Sequence, residues 1–192
     1  MNVQLESLTE KKKAIFESTL ELIQEFGFHG TPMSEIANRA NVAAGTIYHY
    51  FSSKDDLILE LFKYVKTNDQ EATFKQEDLT KSFGERFRII WIRSCKFYME
   101  HPEYLSFMEQ FYCSPYLKKI KNDNLRDQHD FKELISLGAE KGYIKKLDVQ
   151  IIASVFWGSI TATAKRHHHG HHHINEENLS DLSGIIWDGL RI

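Results

Sequence analysis

Between Thr31 and Lys54 the chain reads TPMSEIANRANVAAGTIYHYFSSK, and this sharply punctuated run constrains the fold more than any other stretch. Thr31 is a good helix N-cap, and Pro32 suits the first helical position, where its missing N–H costs nothing. Met33 to Ala40 then reads as a short helix with Ile36, Ala37 and Ala40 on one face. Asn41 tolerates the positive φ of a tight corner, Val42 plugs it, and Ala43 to Tyr50 forms another short helix with Ile47 inward. Ala37 is small where the two helices must approach. Together these residues predict two helices crossing steeply, the arrangement of a helix-turn-helix.

The flanks fit the same reading. Lys11 to Phe26 carries Ile15, Thr19, Leu22, Ile23 and Phe26 at helical spacing, and Gly27 suits the left-handed position beyond a helix end. Ser53-Lys54-Asp55-Asp56 resembles a capping box, followed by Leu57, Ile58, Leu61, Phe62 and Val65. The polar stretch 67–80 has little periodicity and reads as a frayed end plus connection. Helices then follow over 83–100, 103–112, 125–141, 148–166 and 176–190, with no alternating strand pattern and no repeat. The expected fold is all-α: a three-helix DNA-binding domain over 1–53, then a helical effector-binding and dimerisation domain over 54–192.

Composition narrows the function classes. There is no apolar run long enough to span a bilayer, and the polar N-terminus lacks a signal peptide's apolar core, so a cytoplasmic location is expected. Cys95 and Cys113 are the two cysteines, expected as free thiols. The formal net charge is −3, and Lys11, Lys12, Lys13 and Arg39 face Glu6, Glu10, Glu17, Glu21, Glu25 and Glu35. DNA binding must therefore depend on local donors rather than a broad basic field.

What faces outward on the third helix is Ala44, Gly45, Thr46, Tyr48, His49 and Tyr50. Gly45 admits a close backbone approach to DNA, and the others offer donors and methyl or aromatic edges for phosphates and bases. Phe51 reads as core; Tyr48 is either a core aromatic or a DNA-facing one.

The pattern Thr31-x-x-x-Glu35-Ile36-Ala37, then Ala40-x-Val42-x-x-Gly45-Thr46-Ile47-Tyr48-x-Tyr50-Phe51-x-Ser53-Lys54-x-x-Leu57, resembles the TetR (tetracycline-repressor) family of bacterial regulators across about residues 10–62. The resemblance implies phosphate contacts from Thr31, Thr46, Tyr50 and Lys54, and groove contacts from Ala43, Ala44, Gly45, Tyr48 and His49. N–H groups at the start of the fourth helix would supply a further phosphate site. Ala43 and Ala44 depart from the family, which often has a capping hydroxyl and a polar residue there. Shape and apolar readout, with Tyr48 and His49, are therefore expected to carry specificity.

The resemblance also implies a homodimer on a palindromic double-stranded DNA operator, repression, and release by a small-molecule effector through movement of helix four. Ile151, Val155, Ser159 and Ala162, with Leu182, Ile185 and Ile186, are the candidate dimer surface. Trp91, Phe97, Tyr98, Phe107, Phe111, Phe131, Phe156 and Trp157 are candidates for lining a pocket for an uncharged apolar effector. Core packing explains the same residues.

His167, His168, His169, His171, His172 and His173 form a tract that binds divalent metals in vitro on almost any fold. It is a solvated loop with adventitious metal affinity, a metal-sensing site, or an inserted tag. No cofactor is required by the pattern. A small metal-dependent enzyme and a ligand-free DNA-binding adaptor are the other classes. Neither a Gly-x-Ser-x-Gly elbow nor a phosphate-binding glycine loop is present.

Overall fold

The structure, a computed structural model, describes residues 2–74, 78–120, 129–170 and 173–192; side chains at 2–9 and 129 fall outside the description. Among the described residues there are nine α-helices, one 3-10 turn and no strand, and no helix is long and apolar enough to cross a membrane. The helices are α1 (Asn2–Phe26), α2 (Met33–Arg39), α3 (Ala44–Tyr50), α4 (Lys54–Thr73), α5 (Phe83–Glu100) and α6 (Pro102–Tyr112). After the 3-10 turn Pro115–Lys119 come α7 (His129–Glu140), α8 (Val149–His168) and α9 (Glu176–Leu190).

The chain divides into two compact units, Met1–Val65 with Glu103–Lys121, and Lys66–Pro102 with Asn122–Ile192. That is not the linear division at residue 53 expected from the sequence. The first half of α4 belongs with α1–α3, and so does α6. The physical reason is aromatic packing. Phe107 meets Phe28 at 5.8 Å between ring centroids, Phe111 stacks on Phe62 at 4.2 Å, and Gln110 donates to the Ile23 carbonyl at 3.1 Å.

In this first unit, α1 is longer than its periodicity suggested and buries Ile15, Phe16, Thr19, Leu20, Leu22 and Ile23. Phe26, expected on that stripe, is 58% exposed, because the helix stops there and Gly27 turns the chain at φ 68°. Thr31 does not cap α2. Its hydroxyl donates back to the Gly27 carbonyl at 2.8 Å, and Pro32 occupies the cap position instead. Asn41 takes the corner at φ 52°, the Val42 N–H donates to the Ala37 carbonyl at 3.0 Å, and Ile36, Ala37 and Ile47 are buried.

The second unit is built on α5. Ser82 and Glu85 form a reciprocal capping box at its start. Phe87 packs on Phe156 of α8 at 5.4 Å and on Trp187 of α9 at 5.6 Å. A Cβ on Gly84 would lie 2.8 Å from the Trp187 ring, so glycine there lets α9 lie close. The Trp91 indole N–H donates to the Ser159 hydroxyl at 2.9 Å, and Arg88 donates to the Ser183 and Ser180 hydroxyls.

Candidate functional site

The corner at Asn41 presents α3 with one face inward and one outward. Ile47 is buried, while Ala43, Ala44, Gly45, Tyr48 and His49 are exposed and Thr46 and Tyr50 half-buried. Tyr48 is 58% exposed, which separates it from Phe51, fully buried in the core. A methyl group on Gly45 would meet nothing within 4 Å, so the free protein leaves a clear approach there. Seven of the nine expected DNA-facing residues therefore share one short segment, 43–50.

Thr31 and Lys54 stand apart from them. Thr31 is buried and its hydroxyl is engaged with Gly27, so its side chain does not face solvent. Lys54 is half-buried, its ammonium donates to the Phe28 carbonyl, and burial lowers its pKa. The start of α4 is also less open than expected. The Ser52 N–H donates to the Asp56 carboxylate at 2.9 Å, and the Asp56 N–H to the Ser53 hydroxyl at 3.2 Å, so these two groups are satisfied within the chain. Arg39 is held by α1, donating to both oxygens of Glu25 at 2.9 and 3.2 Å and to Glu21 at 3.3 Å.

The expected pocket aromatics do not form one lining. Phe107 and Phe111 belong to the first unit. Trp91, Phe97, Tyr98 and Phe156 are buried in the second, with Phe97 and Tyr98 against each other at 5.2 Å. Phe131, Phe156 and Trp157 do cluster, at 4.7 Å and 5.1 Å between successive rings. Phe131 and Trp157 gather with Lys66, Asp69, Gln70, Phe74 and Asp130 around a gap too narrow to admit a water molecule. A cleft of about 620 Å³ shares Gln70, Phe74 and Asp130 with this cluster and adds Thr67, Glu71, Arg86, Glu133, Leu134 and Leu137.

The α4 side of this cleft, Thr67, Gln70, Glu71 and Phe74, falls in the stretch 67–80 expected as a frayed end plus connection. Instead α4 continues to Thr73 and buries Lys66, Asp69 and Thr73. Lys66 Nζ lies 3.8 Å from Asp69, and 6.0 Å from the Trp157 ring centroid; the Thr73 hydroxyl donates to Asp69 at 3.4 Å. Burial raises the Asp69 pKa and lowers that of Lys66, each opposed by the other's charge. The available signal was spacing: Lys66, Asp69 and Thr73 prolong the inward face of α4 in polar residues.

The candidate dimer surface is largely outward. Ile151 (57%), Val155 (47%) and Ile185 (66%) are exposed, as is Ala162, while Leu182 and Ile186 are half-buried. Ser159 differs, since its hydroxyl is the acceptor for Trp91.

The histidine tract is not wholly a loop. His167 and His168 end α8, His169 is its C-cap, and His171 and His172 lie outside the described residues. The His168 Nε2 is 3.0 Å from the Tyr98 carbonyl, and the His167 ring lies 5.7 Å from His168 and 5.5 Å from His173. Among the described residues no group of three His, Cys, Asp or Glu side chains is placed to hold a metal ion, so the metal-responsive alternative finds no support.

Comparison with known proteins gives concordant matches. Residues 15–61 match the tetR family of bacterial regulatory proteins, and residues 82–191 match a tetracyclin repressor-like C-terminal domain. An uncharacterised HTH-type transcriptional regulator of Haemophilus influenzae is 36% identical over 112 residues, which are 58% of this chain and 60% of that relative. A TetR family transcription regulator from Marinobacter aquaeolei superposes with a TM-score of 0.90 at 22% identity, covering 100% of this chain and 99% of that one. The transcriptional regulator FadR from Bacillus subtilis, solved with stearoyl-CoA, has a TM-score of 0.73 at 22% identity, covering 92% and 95%.

Proposed function

Since the chain belongs to the tetR family of bacterial regulatory proteins, we propose that it is a DNA-binding transcriptional repressor that acts as a homodimer and is released from its operator by a small-molecule effector. The observation that carries the reading is the face of α3. Gly45, Tyr48 and His49 are exposed together on a helix held from behind by buried Ile47, with an open approach at Gly45. That face suits a major groove, where base edges are distinguishable. With Arg39 held by two glutamates, and Lys54 by the Phe28 carbonyl, affinity falls to hydrogen bonds and shape more than to broad charge.

A palindromic operator calls for a two-fold protein. Ile151, Val155 and Ile185 are large apolar side chains left exposed on α8 and α9, and small Ala162 allows a partner helix to come near. The reading places the protein in the cytoplasm with the DNA, and assigns it no catalytic step and no required cofactor.

The test is selection of binding sites from a random duplex library with wild type and Tyr48→Ala, at several salt concentrations. Enrichment of one palindrome, lost in the variant, is the expected result. No enrichment at any salt would sink the reading.

A further inference from the structure

The two helices of the corner have little of their own to hold them. α2 and α3 are seven residues each, too short to stand alone, and neither has a side-chain cap at its start. α2 buries Ile36 and Ala37, and α3 buries Ile47. Arg39 is the last residue of α2, just before the positive-φ corner at Asn41. Its guanidinium reaches back to α1. Nη1 and Nη2 donate to the two oxygens of Glu25 at 2.9 and 3.2 Å, and Nη1 donates also to Glu21 at 3.3 Å. Glu21 and Glu25 lie one turn apart near the end of α1, so the arginine grips a single face of that helix.

Two parallel bonds from a planar guanidinium to one carboxylate fix an orientation as well as a distance. Exposed ion pairs add little to stability as a rule, and the bidentate arginine is the case where geometry counts. The hydrogen bond from Arg39 holds the Glu25 carboxyl below its ordinary pKa, so the anchor stays charged at neutral pH. Two carboxylates also answer the guanidinium's charge, which leaves it little to offer a phosphate. We propose that Arg39 is a positioning residue for operator recognition: clamped on Glu25 and Glu21, it sets the angle at which the corner presents α3 to the groove, without touching DNA itself. This inference rests on the DNA-binding reading above. Holding a recognition element in its bound pose raises affinity for the right partner by sparing the cost of ordering it. Non-specific binding needs only charge along the DNA backbone and does not draw on that pose.

The experiment measures the full chain on the selected operator and on a scrambled duplex across salt concentrations, with thermal melts alongside. Wild type is compared with Arg39→Lys, Arg39→Gln and the double variant Glu21→Gln, Glu25→Gln. Arg39→Lys keeps the charge and loses the fork, whereas the double variant keeps the arginine and loses its anchor. All three should lower the ratio of operator to scrambled affinity about tenfold, with little change in melting temperature. The salt dependence of Arg39→Gln should match that of wild type. Full discrimination in Arg39→Lys would overturn the inference, because charge alone would then suffice. A salt slope lower by about one in Arg39→Gln, with both duplexes weakened equally, would make Arg39 a phosphate contact instead. Tighter binding of both duplexes by the double variant, at an unchanged ratio, would mean that the glutamates only mask that contact. A ratio that falls only in step with melting temperature would make the clamp a support of the fold and no more. If wild type selects no site, the DNA-binding reading fails and this inference with it. A selected site with unchanged ratios in the variants counts against this inference alone.

Discussion

Lys119, in the 3-10 turn after α6, pairs with Asp55 in the first turn of α4, a residue 64 positions earlier in the chain. Tyr116 of the same turn also hydrogen-bonds Asp55, and its ring meets Phe28 edge-on at 5.6 Å. Phe28 in turn offers its carbonyl to Lys54. The segment after α6 therefore braces the residues leading out of α3 into α4, which is why it belongs to the DNA-binding unit.

Breaking this brace should loosen the start of α4 more than it destabilises the protein. The Lys119–Asp55 pair is about half exposed, so its loss should cost under about 1 kcal/mol. Lys119→Ala should therefore shift the melting temperature little and weaken operator binding measurably. The hydrogen bond from Lys119, and then that from Tyr116, hold the Asp55 carboxyl below its ordinary pKa. Its contribution is then complete above the ordinary carboxylate value of about 4 and disappears as pH falls through the lower folded value. Melting curves of wild type and Asp55→Asn should differ at pH 7, and the difference should shrink steadily as pH falls below about 4; a difference that never shrinks in acid would exclude the pair as the cause.

On α3, function and stability should separate. Tyr48→Ala removes an exposed ring, so it should leave the melting temperature in place and cost roughly 1–3 kcal/mol of operator binding. Gly45→Ala meets no obstacle in the free protein and should hold or raise helix stability, by up to about 1 kcal/mol. Any loss of operator affinity in that variant reports a backbone approach to DNA. Lys54→Ala should lower both quantities, because it also removes the Phe28 contact. Gel shifts and thermal melts of the three variants decide these cases.

Inside the second unit, Lys66 and Asp69 are an ion pair with 5% and 4% side-chain exposure. Removing one partner leaves an uncompensated buried charge. Lys66→Met should lower stability by about 3–5 kcal/mol, and the double variant Lys66→Met, Asp69→Leu should recover most of the loss. Urea unfolding measures both; a double variant as unstable as the single would mean that Asp69 acts mainly through Thr73 and Tyr98.

The two cysteines should differ in reactivity. Cys95 is fully buried and burial pushes its thiol pKa well up, whereas Cys113 is exposed. A thiol-specific reagent at pH 8 should label one cysteine quickly in the native protein and both in denaturant. Rapid labelling of Cys95 would show that α5 opens.

A charge on the exposed apolar face should prevent dimerisation. Ile185→Glu and Val155→Glu replace side chains exposed at 66% and 47% and are expected to leave each subunit folded. Sedimentation should show wild-type dimers and monomeric variants, the latter with little affinity for a palindrome. Dimers persisting in both would place the interface elsewhere.

The helix-turn-helix was legible because its constraints are local. Gly27 and Asn41 must adopt positive φ, Ala37 must be small, and Ile36 and Ile47 must turn inward; each is a property of one residue and its neighbours. The motif that follows from them, and the family it points to, were available in the one-dimensional pattern. Tertiary structure decided what depends on distant partners. Nothing in the local sequence tells that Thr31 turns back on Gly27, that Arg39 is claimed by Glu21 and Glu25, or that Phe107 and Phe111 serve the DNA-binding unit. Polar residues hide best: Lys66, Asp69 and Thr73 look solvated until α5, α7 and α8 surround them. Hydrophobic periodicity records which face is buried only while that face is apolar, and here the inward face of α4 turns polar just where the cleft of the second unit begins.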